Sequence, residues 1–262
     1  MYLDLHVHTT ASDGQYSPSE IISKAKEIGL EMIAITDHDT VDGIAEAKAV
    51  ATELQVKFIP GIEISTQDKE EVHILGLGID EQNSELVAAC EFYSASREQR
   101  AEKICEYLGT KRIKVALEEI QKIAGDGVIG RPHFAQYLEE NGYVKNREEA
   151  FRKYLDTKEF KKYTDRKKPT PEEAISLIHA AGGKTFLAHP GLLKMGWTEV
   201  ELFIERLKAI GLDGMECYYS RHTKPQVERF LELAKKYDLQ ISAGSDFHGE
   251  KVKSDISLGY RI

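Results

Sequence analysis

The sequence contains little cysteine and no paired cysteine motif. Its three cysteines, Cys90, Cys105 and Cys217, are far apart in the chain and form no Cys-x-x-Cys pair. This number and spacing argue against a disulfide framework and against a zinc site built from thiolates. They fit a protein that folds in a reducing compartment.

Long hydrophobic runs and a secretory leader are also missing. No apolar run approaches the ~20 residues of a membrane-spanning helix. The opening residues MYLDLHVH show neither the basic nor the apolar region of a leader. We therefore expect a cytoplasmic protein that has no membrane partner.

The chain also lacks an excess of basic residues. The chain has 35 Lys and Arg against 44 Asp and Glu, which gives a net charge of −9. Because sequence-independent binding to phosphates needs a basic surface, we expect no long duplex nucleic acid as a partner. The length of 262 residues, with 41% hydrophobic and 30% charged residues, suits a globular protein with a real core. The composition carries no signal of oligomeric state.

Short apolar runs alternate with helix-start signals along most of the chain. SPSE (17–20) and TPEE (170–173) each combine an N-cap residue, a proline and a glutamate in the order that begins a helix. This alternation predicts an α/β fold with parallel strands buried on both faces. The seven candidate strands are YLDLHV (2–7), MIAIT (32–36), KFIPGIEIST (57–66), VHILGLGI (72–79), KTFLAH (184–189), GMECYY (214–219) and QISAGSD (240–246).

The alternation is interrupted between about residues 85 and 169, where the pattern is helical and no strand is convincing. We predict a barrel domain made of residues 1–98 and 170–262, and a helical insertion, or lid, made of residues 99–169. Within the insertion, residues 145–168 contain ten Lys or Arg and five Asp or Glu, a local charge of +5. Such a run is usually a solvated helix face, and the sharper interpretation is a basic lid that attracts an anionic substrate.

Histidines and carboxylates fall at the ends of nearly all the candidate strands. In an α/β barrel the carboxyl ends of the strands converge on one face, where active sites are built. A single histidine on a strand is usually structural, but this ordered set is poorly explained by chance. The residues concerned are His6, His8, Asp37, His38, Asp39, Glu63, His73, His189, His222, Asp246 and His248, with Asp13 shortly after the first strand, and we count nine good metal-ligand candidates among them.

These side chains offer nitrogen and oxygen but no thiolate. Imidazole with carboxylate suits manganese, iron or zinc, whereas magnesium and calcium sites are richer in oxygen. Shared at three or four per ion, nine ligands imply two or three divalent ions, with manganese expected first and iron or zinc as alternatives. Metal ions ~3.5–4 Å apart clamp a phosphoryl group and lower the pKa of a bridging water, so the cluster predicts hydrolysis of a phosphoester.

Six short motifs in order resemble the PHP family, named for polymerase and histidinol phosphatase domains. They are DLHVHTTASDG (4–14), ITDHDT (35–40), GIEIS (61–65), VHILG (72–76), LAHPG (187–191) and SDFHG (245–249). GRPHFA (130–135) and YYSRH (218–222) are similar to the TrpH-like branch of that family. The resemblance implies a distorted seven-stranded (β/α) barrel with a helical insertion and a trinuclear metal centre.

The resemblance also implies which ligands share an ion. His6, His8, Glu63 and Asp246 would hold the first ion. Glu63 would bridge to a second ion, which His73 and His189 complete. Asp13, His38 and His248 would hold the third. Asp4, Asp37 and Asp39 are expected to orient the imidazoles through hydrogen bonds.

A hydroxide bridging the metal ions is expected to attack the phosphorus in line. Arg131 is expected to grip a second phosphate bidentately, the alternative being a structural ion pair. His222 is expected to bind phosphate or to protonate the leaving oxygen. Arg221, His133 and, more weakly, Lys194 are further candidates for substrate binding.

The expected substrates follow from the same resemblance. We rank first a phosphoesterase that removes phosphate from small nucleotides such as nucleoside 3′,5′-bisphosphates. The alternatives are a 5′-to-3′ exonuclease on short single-stranded RNA or DNA, and a histidinol-phosphate phosphatase. From a different class, the chain would be a metal-binding module without catalysis, although its full set of ligand positions argues against that.

Overall fold

The computed structural model describes residues 1–125 and 129–262, and its strands form one strongly bent sheet. Within these residues the sheet is 8-stranded, in the order β7-β6-β5-β4-β3-β2-β1-β8. The strands are β1 (Tyr2–Asp4), β2 (Met32–Ile35), β3 (Phe58–Gln67), β4 (Glu71–Leu77), β5 (Lys184–Leu187), β6 (Gly214–Tyr219), β7 (Gln240–Gly244) and β8 (Tyr260–Arg261).

The sheet curls until its first and seventh strands meet. The Leu5 N–H donates to the Ala243 carbonyl at 3.0 Å, and the His8 N–H donates to the Phe247 carbonyl at 2.9 Å. A parallel bridge between Val7 and Phe247 extends this contact beyond the strands. The predicted barrel is therefore confirmed, with β8 as an additional strand paired antiparallel to β1.

One strand runs against the predicted direction. β4 is antiparallel to both of its neighbours, β3 and β5, so the expectation of parallel strands throughout is wrong at this point. Only residues 68–70 separate β3 from β4, and a parallel pair needs a crossover of a dozen or more residues. The resulting hairpin pairs Ser65 with His73, so that His73 lies on the same face of the sheet as Glu63, two residues from Ser65.

Helices cover the outside of the sheet, and the two predicted helix starts are present. Ser17 and Thr170 each accept a backbone hydrogen bond within a capping box, followed by proline. The helices are α1 (Pro18–Glu27), α2 (Ile44–Leu54), α3 (Ser84–Thr110), α4 (Leu117–Ala124), α5 (Arg131–Glu140), α6 (Arg147–Ala150), α7 (Lys158–Tyr163), α8 (Pro171–Ala180), α9 (Trp197–Ala209) and α10 (Lys224–Lys236), with a π-helical turn at Phe151–Leu155 and a 3-10 turn at Pro190–Leu192. None of the helices in the described part of the chain combines the length and apolar character that crossing a membrane requires.

Two large sets of buried apolar side chains lie apart from each other. The larger one packs helices such as α1 and α8 against the strands, and it includes Ile21, Ile33 and Ile178. The other joins the second half of α3 to the helices that follow, around Tyr107 and Phe134. α3 runs without interruption through residue 98, and the division of the chain at 98 and 169 stays a prediction. Residues 126–128 of the predicted insertion lie outside the described residues.

Candidate metal centre

The segment after β1 carries two buried histidines toward the interior of the barrel. β1 ends at Asp4, so His6, which the predicted strand of residues 2–7 includes, follows the observed strand, as His8 does. Their backbone still runs beside residues 246–247: the Asp246 N–H donates to the His6 carbonyl at 2.8 Å. Because side chains alternate in extended backbone, the two imidazoles lie on the same side of this segment.

Glu63 is the centre of the cluster. Its Oε1 lies 2.9 Å from His73 Nδ1 and 3.0 Å from His189 Nε2. Its Oε2 lies 3.0 Å from His38 Nδ1 and 3.3 Å from His8 Nε2. One fully buried carboxylate is thus surrounded by imidazoles from four separate parts of the chain.

Two further carboxylates complete the cluster on the side away from His73. Asp246 Oδ1 lies 3.3 Å from both His8 Nε2 and His248 Nδ1. Asp13 Oδ1 lies 3.2 Å from His248 Nε2 and 3.7 Å from His8 Nδ1. Asp246 is itself held by the Tyr219 hydroxyl, which donates to Oδ2 at 3.0 Å, so its orientation does not depend on the histidines alone.

The structure brings all nine predicted ligands together. They form four overlapping groups, in each of which the candidate ligand atoms lie within 4.8 Å of one another. His8 belongs to the group of Asp13 as well as to that of Asp246, whereas the resemblance assigned it to one ion only. The groups are His8, Asp13, His38 and His248; His6, Glu63 and His189; His6, His8 and Asp246; and His38, Glu63 and His73.

The cluster fits divalent ions on a structural criterion. His6 Nε2, both ring nitrogens of His8, His38 Nδ1 and Glu63 Oε2 are buried and make no hydrogen bond within the described part of the chain, although they lie close to one another. Buried polar atoms in folded proteins are nearly always hydrogen-bonded, and a metal ion is one of the few other partners that satisfies them. An imidazole and carboxylate set suits first-row divalent ions such as manganese, iron or zinc.

The shifted pKa values of Glu63 and His8 favour metal binding, whereas His6 and His73 must lose a proton to bind an ion: burial lowers the pKa of His73, but Glu63 outweighs burial and raises that pKa to about 9. Burial raises the pKa of the Glu63 carboxyl, but His38, His73 and His6 outweigh burial and hold that pKa well below its usual value. Burial and the neighbouring His248 and His38 lower the pKa of His8 to about 4. An ionised carboxylate and a neutral imidazole are the forms that coordinate a cation.

A residue that the sequence patterns did not single out supports the centre from behind. Glu216 in β6 is fully buried. Its Oε1 lies 3.1 Å from His6 Nδ1, and its Oε2 accepts a hydrogen bond from the His189 N–H at 2.8 Å. Holding Nδ1 of His6 leaves Nε2 directed at Glu63 and Asp246. The available signal was a glutamate inside the apolar run GMECYY, where an unpaired charge would be costly.

Two of the aspartates expected to orient imidazoles have other partners. Asp4 accepts hydrogen bonds from the N–H and hydroxyl of Ser245. Asp37 accepts from the N–H and hydroxyl of Thr9 and from the Ser12 hydroxyl. The prediction is wrong for these two residues: they fix the backbone of the loops that carry the ligands and do not contact the ligands' rings.

The third aspartate organises cations. Asp39 Oδ2 lies 2.7 Å from Arg97 Nη2 and 3.0 Å from Arg166 Nη2, and its Oδ1 accepts from the Ser65 N–H. The predicted contact with an imidazole is therefore wrong here as well. Asp39 therefore holds Arg97 and Arg166 beside the metal-ligand cluster. Its contact with Arg166 leaves two donor atoms of that guanidinium free.

Arg166 has unused hydrogen-bonding capacity at the wall of two cavities. Its side chain is 3% exposed, and its Nε and Nη1 make no hydrogen bond to the part of the chain that is described. It lines a cavity that also contains Asp13, His38, His73 and His248, and a larger one of about 610 Å³ that contains His73 and His189. A buried guanidinium with free donors beside a metal-ligand cluster is typical of a phosphate-binding site.

Other cations concentrate around Arg166. Arg100 and Arg131 line both cavities, and Lys168 lines the larger one. Burial and the nearby Arg131 lower the pKa of Arg100 to about 9. Among the cavity-lining acids, Glu71 contacts this group directly: its Oε2 lies 2.9 Å from Lys168 Nζ and 3.6 Å from Arg131 Nη2. The cations Arg100, Arg131, Arg166 and Lys168 outnumber the acids that contact them, and this excess of positive charge attracts a phosphate.

Three of the predicted substrate-binding residues, Arg131, His133 and Lys194, have different surroundings. Arg131 lies in the cationic cavity beside Glu71. His133 is buried, and its Nδ1 accepts a hydrogen bond from the Gly130 N–H at 3.0 Å, so it caps α5. Lys194 is exposed on the rim of the larger cavity, 3.7 Å from Asp156.

Arg221 and His222 are held by the protein itself. Arg221 forms a two-point ion pair with Asp255, with Nη2 and Nε 2.9 and 3.1 Å from the carboxylate. His222 Nδ1 lies 3.0 Å from the Cys217 carbonyl, and its Nε2 accepts from the Gly191 N–H at 3.0 Å. With both ring nitrogens bonded to backbone, His222 is placed to fix the loop that follows His189. This geometry does not support the predicted contact with the leaving oxygen.

A barrel with a nine-residue cluster of imidazoles and carboxylates beside a cationic cavity defines the class of metal-dependent hydrolases of phosphoester bonds. Comparison with known proteins identifies the family. Residues 4–215 match the model of the PHP domain. The chain belongs to the PHP-domain family and is a metal-dependent phosphoester hydrolase.

Two relatives and one solved structure illustrate the similarity. A 5′-3′ exoribonuclease of Haemophilus influenzae is 40% identical over 248 residues, which cover 94% of this chain and 89% of that protein. A 3′,5′-nucleoside bisphosphate phosphatase of Chromobacterium violaceum is 35% identical over 248 residues, which cover 94% and 87%. A structure from Chromobacterium violaceum, described as an amidohydrolase with bound sulfate and no metal, has a TM-score of 0.91 and 33% identity, and covers 99% of this chain and 91% of that one.

Metal removal is expected to destabilise the fold. Five buried atoms of the cluster have no hydrogen-bond partner within the described chain, so ions that bind there stabilise the folded state over the unfolded one. At 100 times the dissociation constant the gain is about 2.7 kcal/mol, which corresponds to a Tm increase of about 5–10 °C in a chain of this size. Thermal unfolding of chelated protein with and without Mn²⁺ measures this, with Ca²⁺ as the control ion. Equal Tm values with Mn²⁺, Zn²⁺ and Fe²⁺ as without metal would contradict the assignment.

Proposed function

We propose that the protein removes a phosphate from small nucleotides that carry a second phosphate, with nucleoside 3′,5′-bisphosphates as the first candidates. The observation that carries this proposal is the pair of free donor groups of the buried Arg166, next to Arg100 and Lys168 and beside the metal-ligand cluster. One phosphate would react at the cluster while the other is held by these cations. The similarity to a 3′,5′-nucleoside bisphosphate phosphatase supports this choice.

The nine clustered side chains would hold two or three divalent ions, with manganese expected first and iron or zinc as alternatives. Such ions lower the pKa of bound water and neutralise charge that develops on a transferring phosphoryl group. Glu63 is placed to contact more than one ion, because its two oxygens face different imidazoles. The ligand assignment implied by the resemblance is retained, with His8 placed between two of the groups.

The protein's own residues would bind and orient the substrate. Arg166, held in place by Asp39, presents two donors that a phosphate accepts in a bidentate manner. Arg131 approaches the same cavity from α5. Lys253 lies 2.6 Å from Asp246 and lines the cavity next to His248, where it would add positive charge close to the reacting phosphate.

A histidinol phosphate would fit this cavity poorly. Its ammonium group would face Arg100, Arg131 and Arg166. Glu71, the carboxylate nearest to these cations, is already engaged by Lys168 and by His73. Repulsion between these arginines and the positively charged amine would weaken the binding of histidinol phosphate. We therefore rank a histidinol-phosphate phosphatase below an enzyme that acts on nucleotides.

A 5′-to-3′ exonuclease on short single-stranded oligonucleotides is the second candidate. The similarity to a 5′-3′ exoribonuclease favours it. The chemistry at the metal-ligand cluster would be the same, because each cycle hydrolyses one phosphoester. The two functions differ in what lies beyond the cationic cavity, since only an oligonucleotide has further bases and phosphates to be held.

Arg131→Ala is expected to raise KM for adenosine 3′,5′-bisphosphate by about 10–100-fold, because it removes one charge-assisted contact to the second phosphate. The rate with p-nitrophenyl phosphate, which has no second phosphate, is expected to change less than about three-fold. Arg152→Ala, which removes an exposed arginine of the same insertion, is the matched control. Equal losses on both substrates in the Arg131 variant would show that its role is structural.

A further inference from the structure

A groove runs along one face of α3, next to the cationic cavity. Residues spaced three or four apart on this helix form one wall, among them Phe92, Ser96, Gln99 and Lys103. The segment 165–168 forms the opposite wall, and the enclosed volume is about 610 Å³. The groove is therefore as large as the cavity that contains His73 and His189.

The groove continues into the cationic cavity. Arg100, Arg166 and Lys168 line both spaces, as do Gln67 and Asp165. The groove would therefore adjoin a ligand that places a phosphate on Arg166. Arg166 is also the residue with free buried donors, so the junction of the two spaces is itself a site for an anion.

The two walls are joined by hydrogen bonds from side chains of α3 to backbone carbonyls of residues 164–167. The Arg100 Nε donates to the Thr164 carbonyl at 3.0 Å, and the Lys103 Nζ donates to the Asp165 carbonyl at 2.9 Å. The Ser96 hydroxyl donates to the Lys167 carbonyl at 3.3 Å. Because these contacts use backbone carbonyls of the segment, the ammonium group of Lys167 is left at the surface.

The lining combines cations with an exposed aromatic ring. Phe92 is 54% exposed, although it belongs to an ordered helix. Lys167 has no carboxylate within ion-pair distance in residues 1–125 and 129–262, and Asp165 is the acid that lines the groove. An aromatic ring beside unpaired cations is the combination that binds single-stranded nucleic acid, where bases stack on the ring and phosphates contact the cations.

We propose that this groove binds the nucleotides that follow the reacting one in a short single-stranded oligonucleotide. Phe92 stacks on a base, and Lys167 contacts a backbone phosphate, with Lys103 close to the same path. The proposal rests on the proposed phosphoesterase function of the neighbouring metal-ligand cluster. The single-stranded form is favoured because the chain as a whole carries a net charge of −9, which opposes a long duplex.

Phe92→Ala is expected to lower kcat/KM for the first cleavage of a 5′-phosphorylated tetraribonucleotide by about five- to a hundred-fold, through loss of stacking. Adenosine 3′,5′-bisphosphate has no second base, so its kcat/KM is expected to stay within about two-fold. Phe92→Trp is expected to keep the tetranucleotide rate, because its ring still stacks. Tyr143→Ala, which removes another exposed aromatic side chain of the chain's helical region, is the control.

Lys167→Ala tests the phosphate contact by its dependence on salt. Loss of one phosphate contact is expected to reduce the slope of log kcat/KM against log salt concentration by about 0.7 for the tetranucleotide. The slope for the bisphosphate is expected to stay unchanged. Lys57→Ala, which removes an exposed lysine just before β3, is the matched control.

The outcomes separate this proposal from the one on which it rests. If the unmodified protein hydrolyses the bisphosphate and the tetranucleotide, but the Phe92 and Lys167 variants match it on both, the groove proposal is overturned. If the two variants lose activity equally on both substrates, the groove is structural and the proposal is likewise overturned. If the unmodified protein, loaded with Mn²⁺, hydrolyses neither substrate, the phosphoesterase function itself fails.

Discussion

Glu63→Gln is expected to reduce kcat for phosphate release by roughly a thousand-fold or more and to remove bound metal. Changing a residue that only supports a metal ligand lowers metal affinity or activity by about 10–100-fold. Changing a ligand that belongs to several groups should therefore have a larger effect. The carboxylate contacts His73 and His189 with one oxygen and His38 and His8 with the other. An amide keeps the size of the side chain but loses the negative charge and one of its two acceptor oxygens.

Metal content and turnover are measured on the same preparation of the Glu63 variant. Glu228→Gln, which changes an exposed glutamate of α10, controls for the substitution itself. Circular dichroism shows whether the variant has kept its helices. A folded Glu63 variant with the metal content and kcat of the unmodified protein would refute the cluster as the site of catalysis.

Glu216→Gln is expected to weaken metal binding by about 10–100-fold, although Glu216 belongs to none of the candidate ligand groups. Its two oxygens serve His6 Nδ1 and the His189 N–H at the same time. Glutamine has a single acceptor oxygen, so one of these two contacts would meet an NH₂ group instead. The imidazole of His6 or the loop of His189 would then lose its fixed orientation.

A metal titration distinguishes this positioning role from a general loss of stability. The Mn²⁺ concentration that gives half-maximal activity is expected to rise in the Glu216 variant, while kcat at saturating Mn²⁺ recovers most of its original value. A general loss of folded protein would instead lower kcat at all Mn²⁺ concentrations. An unchanged half-maximal concentration would show that Glu216 does not act through His6 and His189.

The strand ends were predictable because they combine two strong patterns. An apolar run identifies each strand, and a histidine or carboxylate follows it or lies within it. β6 has the predicted bounds of Gly214–Tyr219, and the nine ligand candidates lie in one cluster. The helix starts at Ser17 and Thr170 were equally clear, because capping boxes depend only on neighbouring residues.

The direction of β4 and the presence of β8 were missed for different reasons. A parallel and an antiparallel buried strand have similar apolar patterns, so only the short link of residues 68–70 carried the information about β4. β8 consists of Tyr260 and Arg261 alone, which is too short for any periodic pattern. Neither difference moves the cluster, although the β3–β4 hairpin is what brings His73 beside Glu63.

The supporting residues were missed because their roles depend on distant contacts. Glu216 is separated from His6 by 210 residues, and Arg166 from Asp39 by 127. No local spacing links such pairs, whereas the buried charge in GMECYY was a usable clue for Glu216. The backbone contact of His222 was missed for the same reason, since its partner Gly191 lies 31 residues away, and the role expected of His222 at the substrate stays a prediction.

The most direct test of the central claim is phosphate release from adenosine 3′,5′-bisphosphate by the Mn²⁺-loaded protein. A 5′-phosphorylated trinucleotide and histidinol phosphate are assayed beside it under the same conditions. We predict release from the bisphosphate that stops on chelation and returns with Mn²⁺, and little or no release from histidinol phosphate. Protein that binds no metal and hydrolyses none of the three substrates would contradict the account.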